Sequence, residues 1–163
     1  MTRLLARALD RSALLDAHWV GRLVVGGYVW PLGEPATEAA AQVRLVNSNV
    51  CALAANFVYA GFTPVIDWVV PNRQQLDTYR DALTSRQLLL VVLDPGSSTC
   101  RERNEHRVPE EQHFFDDYEQ LSSSMYSFRD LGWWIDTSTQ TAGETVQHIL
   151  DEGLARAVVP QLS

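Results

Sequence analysis

The 163-residue sequence contains no lysine, and all of its positive charge comes from 13 arginines. Acidic residues outnumber them, and the net charge of −7 argues against nucleic acid or an anionic membrane as the main partner. Two cysteines, Cys51 and Cys100, are too few for a disulfide scaffold and favour a reducing, cytoplasmic compartment. No apolar run approaches the roughly 18 residues that a membrane-spanning helix needs, and the first residues lack the apolar core and cleavage site of a signal peptide.

Several motifs of known enzyme classes are also missing. The sequence has neither GxSxG nor GxGxxG, and no spacing of Cys and His is typical of a zinc site. What remains is typical of a globular protein, because 46% of the residues are apolar and 20% are charged. The length predicts one domain.

Four short apolar runs predict β-strands. Two of them, VIDWVV and LLLVVL, are nearly continuous rather than alternating, which is typical of strands covered on both faces in a parallel sheet. The runs are Ser12–Asp16, Pro64–Val70, Gln87–Leu93 and Trp133–Asp136.

The segments between these runs predict helices. In Ala36–Ala60 an apolar stripe recurs every three or four positions, and Gly61 is expected to end the helix. The residues of this predicted stripe are Val43, Val46, Val50, Leu53, Phe57 and Ala60. The other predicted helices are Thr2–Leu9, Arg73–Leu83 with Asn72 as cap, one from Ser97 to about Arg107, one from Pro109 to about Ser123, and one that follows a Thr141–Glu144 capping box. The alternation predicts an α/β fold with an open, doubly wound, mostly parallel sheet in three layers.

Ligands of such sheets bind beyond the carboxyl ends of the strands, so the polar residues there are the candidates. Asp16 and His18 follow the first run, either as a general base and an orienting partner, or as a strand-end cap beside an exposed histidine. Asp67 lies in an apolar run and is costly to bury alone. It therefore either faces Mg²⁺ or accepts a hydrogen bond from a neighbouring backbone group.

Three arginines, Arg101, Arg103 and Arg107, lie within seven residues. Arginine suits bidentate contact with phosphate. However, Glu102 and Glu105 interrupt the series, so a solvated helix face with i,i+4 pairs is the alternative.

The order of these elements resembles that of the small P-loop kinases, the adenylate-kinase-like ATP-dependent phosphotransferases. The resemblance covers about residues 2–156 and rests on the strings TRLLARAL, SALLDAHWV, GFTPVIDWVVP, LLLVVLDPGSSTCRERNEHR and WIDTSTQTAGETVQHIL. It implies a P-loop NTPase-like domain that transfers the γ-phosphoryl group of ATP to a hydroxyl, with a lid at about residues 97–124.

The resemblance also implies roles for individual residues. Thr2 and Asp67 would hold Mg²⁺, Asp16 or His18 would orient or deprotonate the acceptor hydroxyl, and lid arginines would neutralise charge that develops during transfer. Thr2, Arg101, Asp136 and Thr137 would contact the nucleotide, and Arg103 and Arg107 would act in catalysis. The implied cofactors are ATP and Mg²⁺.

The sequence departs from the family at its defining motif, G-x-x-x-x-G-K-[ST]. Thr2 corresponds to the final Ser or Thr, Met1 stands where the lysine is expected, and the preceding strand and glycines are absent. The sequence is therefore expected to be a kinase-like domain cut just inside its P-loop, with weak ATP binding. The alternative is a degenerate, non-catalytic protein that binds a nucleotide or another small molecule. The expected partner is a small-molecule acceptor rather than nucleic acid or membrane, and a homo-oligomer is left open.

Overall fold

The computed structural model describes residues 1–83, 87–108, 115 and 117–161. These residues form two compact units, the first containing 1–69 and 78–83 and the second containing 70–77 and the remainder from 87. Residues 109–114 and 116, in which the helix from Pro109 is predicted to begin, lie outside the described residues. The single domain with a lid at 97–124 stays a prediction.

The first unit is built on a pair of parallel strands. Its elements are α1 (Thr2–Ala8), β1 (Ser12–Asp16), α2 (Ala17–Gly21), α3 (Ala36–Tyr59) and β2 (Thr63–Asp67). The register runs from Ser12 opposite Thr63 to Asp16 opposite Asp67. The predicted continuation of β2 to Val70 is wrong. The chain turns into α2 directly after Asp16, and no described strand pairs with the residues beyond Asp67.

Helix α3 packs against both strands of this pair. Its buried face includes Val46 and Val50, as predicted, but Leu53 of the predicted stripe is exposed. The buried face contains small and polar residues instead: Ala39, Gln42, Val46, Asn47, Val50, Cys51 and Ala54. The prediction that Gly61 ends the helix is confirmed, because the helix stops at Tyr59 and Gly61 has φ +80°.

A buried polar contact joins α3 to the last turns of α4 (Arg73–Ala82). The Tyr79 hydroxyl donates to Asn47 Oδ1 at 3.0 Å, and both residues are less than 5% exposed. Burial raises the pKa of Tyr79, because the phenolate would lose its hydration.

The second unit also contains a parallel strand pair. Its elements from residue 87 onward are β3 (Leu88–Leu89), β4 (Val91–Leu93), α5 (Ser97–Glu105), α6 (Tyr118–Met125), β5 (Trp133–Ile135), α7 (Ala142–Arg156) and β6 (Val158–Val159). Strands β4 and β5 are parallel, whereas β3 pairs antiparallel with β6. The predicted strand Gln87–Leu93 is therefore divided in two, and β6 was not predicted.

Two predicted helix caps of this unit are confirmed. Asn72 Oδ1 accepts a hydrogen bond from the Gln75 backbone N–H at 2.9 Å, and Thr141 and Glu144 form a reciprocal capping box.

The core of the second unit surrounds β4. Leu76, Val92, Phe128 and Leu131 are buried together. Gly132 precedes β5 with φ +70°, and a Cβ atom there would lie 2.6 Å from the Leu90 carbonyl oxygen. The position therefore requires glycine both for its backbone conformation and for space.

Within the described residues each strand has one hydrogen-bonded neighbour, and two of the three pairs are parallel. The three-layer, doubly wound sheet therefore stays a prediction.

Candidate functional site

Two carboxylates stand side by side at the carboxyl ends of β1 and β2. Asp16 and Asp67 are the last residues of their strands and are partners in the register. The prediction that they share one end of a parallel sheet is confirmed. Strand ends of this kind are the usual ligand sites of parallel sheets.

The N-terminal helix reaches this strand end through Thr2. Its Oγ1 donates a hydrogen bond to Asp67 Oδ2 at 2.5 Å, and both residues are half-buried. The contact joins residues that are 65 positions apart in the chain. The sequence leaves two alternatives for Asp67, facing Mg²⁺ or accepting a backbone hydrogen bond. Among the described residues its hydrogen-bond partner is the Thr2 hydroxyl, and the Mg²⁺ alternative stays a prediction.

Asp16 is the N-cap of the short helix α2. Its Oδ1 accepts hydrogen bonds from the backbone N–H groups of His18 at 2.9 Å and Trp19 at 3.2 Å. The capping interpretation is therefore confirmed. The cap uses only one oxygen of the Asp16 carboxylate, since Oδ2 has no hydrogen-bond partner among the described residues.

His18 is half-buried rather than merely exposed. Its ring contacts the Trp68 indole edge-on, with 4.9 Å between centroids. Both side chains line an open cleft together with Tyr28, Val29 and Gln42. We call this space the His18–Trp68 cleft.

The sequence predicts a pocket lined by the segment Trp19–Pro31 and the long helix, and residues of both line this cleft, whereas Trp68 was not expected in it. Trp68 lies in the run Pro64–Val70, which predicts a strand covered on both faces, but it is only half-buried because β2 ends just before it. Gln42 was not singled out, although a polar residue on the buried face of a helix is an available signal. The polar residues Asn49 and Asn56 of the same helix are exposed.

In the second unit, Arg103 lies against the turn that follows β5. Its Nη2 donates to the Thr137 carbonyl oxygen at 2.6 Å and to the Ser138 carbonyl oxygen at 3.5 Å. Its Nη1 donates to Thr137 Oγ1 at 3.4 Å, and Thr137 is 3% exposed. Arg103 therefore joins α5 to the β5–α7 turn.

The other two arginines have different surroundings. Arg101 forms an ion pair with Glu119 at 3.6 Å and lies over the Tyr118 ring. Arg107 is close enough to Cys100 for its charge to affect that thiol. Burial raises the pKa of Cys100, although the Arg103 and Arg107 charges oppose the rise. Arg101 therefore pairs with a residue of α6 and not with the i,i+4 partner that the alternative of a solvated helix face implies.

Asp136 supports the same turn. Its Oδ1 accepts from the Ser138 backbone N–H at 2.8 Å, and this bond holds the pKa of the carboxyl below its usual value. The side chain is exposed. Asp136, Thr137 and Arg103 thus meet at the carboxyl end of β5.

The residues at the end of β2 suit a metal ion that water and phosphate oxygens also coordinate. They do not suit an ion that protein side chains hold alone. In the described part of the chain, no three His, Cys, Asp or Glu side chains cluster closely enough to hold an ion. Magnesium commonly takes one or two carboxylates and completes its coordination with water and phosphate oxygens. The hydroxyl of Thr2 and the carboxylate of Asp67 fit that use.

Comparison with known proteins gave no match, either to a family model or to a curated protein sequence. None of the described helices combines the length and the apolar character needed to cross a membrane.

Proposed function

We propose that this protein is kinase-like and transfers the γ-phosphoryl group of ATP to a hydroxyl group of a small molecule. The observation that carries the proposal is the hydrogen bond between Thr2 and Asp67 beside Asp16. It brings together the hydroxyl and the carboxylate to which the resemblance assigns Mg²⁺, and it does so at the strand end where ligands of parallel sheets bind.

Thr2 Oγ1 is a proposed magnesium ligand, and Asp67 would hold the ion directly or through water. Bound Mg²⁺ would neutralise charge on the phosphate oxygens of ATP. The hydrogen bond places the two side chains at the same strand end.

Asp16 is the proposed residue for orienting the acceptor. Its Oδ1 is fixed by two backbone N–H groups, so the orientation of the carboxylate is set by the start of α2. Oδ2 can then accept a hydrogen bond from the acceptor hydroxyl and take its proton. His18, two residues later, contributes to the wall of the adjoining cleft.

Asp136 and Thr137 stay proposed nucleotide contacts, as the resemblance implies. Arg103 already binds carbonyl oxygens of this turn, which supports a positioning role for it. Neutralising phosphate charge is proposed for Arg107, and Arg101 stays a proposed nucleotide contact.

A phosphate-binding loop of the type GxxxxGK[ST] is not contained in this sequence, which has no lysine. Backbone donors and the lysine of such a loop supply much of the stabilisation in phosphoryl transfer. The chain by itself should therefore bind Mg·ATP weakly. This absence favours a second candidate function, a non-catalytic protein that retains only the cleft.

A cytoplasmic location is part of the proposal. Both cysteines are free thiols, which a reducing, ATP-containing compartment maintains.

The test compares three chains by calorimetric titration with Mg·ATP: this chain, a chain in which Met1 is replaced by a strand ending in GxxxxGK, and the same extension with Met in place of its Lys. The kinase proposal predicts tight binding only for the Lys-containing extension. Equal, weak binding by all three would favour the non-catalytic candidate. Tight binding by the unextended chain would mean that another site holds the phosphates.

A further inference from the structure

The segment of residues 19–32, which leads from α2 towards α3, carries large apolar side chains on the surface of the protein. Single exposed apolar residues are ordinary, but several on one short segment mark an interaction surface. The exposed apolar residues of this segment are Trp19, Leu23, Val25, Tyr28, Trp30 and Leu32.

The tip of the segment protrudes into open space. Val25 is 93% exposed, and a Cβ atom at Gly26 or Gly27 would meet no other atom within 4 Å. Two copies that dock through one surface need a patch that fits itself. A protruding tip does not provide such a patch, whereas a fluid bilayer accepts it without a matching shape.

The base of the segment is anchored to α3 and α2. Gln42 Oε1 accepts a hydrogen bond from the Val29 backbone N–H at 2.9 Å, and Gln42 Nε2 donates one to the Gly27 carbonyl oxygen at 2.7 Å. The Trp30 ring stacks on His18, with 6.5 Å between centroids. These contacts hold the backbone on the protein while the apolar side chains of the tip face outwards.

The charge of the segment indicates the chemistry of its partner. Arg22 is the one charged residue between His18 and Glu34, and its guanidinium lies 5.6 Å from the centroid of the Trp19 ring. Trp and Tyr side chains are typical of the level of lipid headgroups, and the arginine stem can lie among apolar groups while its charge meets a phosphate. The net charge of −7 repels anionic lipid, so a zwitterionic headgroup fits better.

We propose that residues 19–32 insert into the interface of a zwitterionic phospholipid bilayer, with Val25 among the acyl chains and Arg22 at a headgroup phosphate. This binding is peripheral and does not depend on the proposed function. The sequence-based expectation of no membrane partner rests on net charge, which opposes anionic lipid but not this surface.

The test is sedimentation of the full chain with sucrose-loaded phosphatidylcholine vesicles at physiological salt. The parent chain should sediment with these vesicles, and less with vesicles that also contain phosphatidylglycerol. Acyl chains labelled with bromine should quench tryptophan fluorescence, and Trp19→Phe should remove more of this quenching than Trp134→Phe. Failure to bind phosphatidylcholine, or stronger binding to the anionic vesicles, would overturn the proposal.

Val25→Asp and Leu154→Asp form a matched pair, because both place a carboxylate at an exposed apolar position and Leu154 lies on α7 in the second unit. Val25→Asp should lower the partition coefficient about tenfold or more, since an apolar contact is replaced by a charge. Leu154→Asp should bind like the parent, and equal binding by the two variants would overturn the proposal. Both should keep the urea midpoint of the parent, because the replaced side chains are exposed.

Arg22→Gln keeps the apolar tip and should weaken binding by only about 2–5-fold, the range for one exposed ion pair. Unchanged binding would contradict the contact between Arg22 and phosphate. Sedimentation velocity without vesicles tests the other occupant of this surface. A dimer that Val25→Asp dissociates and Leu154→Asp does not would assign the segment to a second copy of the chain and overturn the lipid proposal.

Discussion

Replacing Asp16 by Ala or by Asn separates its structural role from its proposed chemical role. The carboxylate accepts two N–H bonds at the start of α2, a helix of five residues. Losing such a cap costs about 0.5–2 kcal/mol, whereas Asn caps about as well as Asp. Asp16→Ala should therefore lower the free energy of unfolding by about 1 kcal/mol, and Asp16→Asn by only a few tenths.

Urea denaturation followed by tryptophan fluorescence measures these differences. In the extended, Lys-containing chain both variants should lose activity, by about 10²–10⁴-fold if Asp16 is the general base. We therefore predict that Asp16→Asn has near-native stability but has lost turnover. If Asp16→Asn destabilises the protein as much as Asp16→Ala does, the stabilising role of Asp16 is not helix capping. If Asp16→Asn turns over normally, Asp16 is not the base.

Three further predictions concern stability. Tyr79→Phe should lower the free energy of unfolding by about 1–3 kcal/mol in urea melts, because it deprives buried Asn47 of a hydrogen-bond donor. Tyr59→Phe, at a residue that is 92% exposed, is the control and should change it by less than about 0.5 kcal/mol. Burial raises the pKa of the Cys51 thiol from 9.0 to about 11. Because the unfolded chain loses this proton at lower pH than the folded chain, the free energy of unfolding should fall between about pH 9 and 11. Cys51→Ala should make this fall less steep, and an unchanged slope would contradict the prediction. Arg103→Ala should destabilise the second unit by about 1–3 kcal/mol through its lost carbonyl bonds, and equal hydrogen-exchange rates in the β5–α7 turn of variant and parent would argue against this.

Local signals in the sequence predicted local structure well. Asn72 and the Thr141–Glu144 pair cap helices as expected, because a cap depends on a few neighbouring residues. Strand β1 has its predicted bounds, and Asp16 and Asp67 were placed at one sheet end by the rule for parallel strands.

Features that depend on distant parts of the chain were missed. The end of β2 is set by where β1 turns into α2, which the apolar run through Val70 does not reveal. Likewise, the buried face of α3 is chosen by the strands it packs on, so Gln42 is buried while Leu53 is exposed. Trp68 and Gln42 therefore line the same cleft, which the local sequence does not reveal.

The central claim is that Thr2 and Asp67 together hold the magnesium ion of a bound nucleotide. The most direct measurement is Mg·ATP affinity in the extended, Lys-containing chain, compared with affinity for ATP without Mg²⁺. We predict that Thr2→Val and Asp67→Asn lose the magnesium-dependent part of the affinity, while Thr2→Ser, which keeps the hydroxyl, retains it. Asp10→Asn removes the same charge at an exposed position and should bind like the parent. Magnesium-dependent affinity in Asp67→Asn equal to that in Asp10→Asn would contradict the assignment.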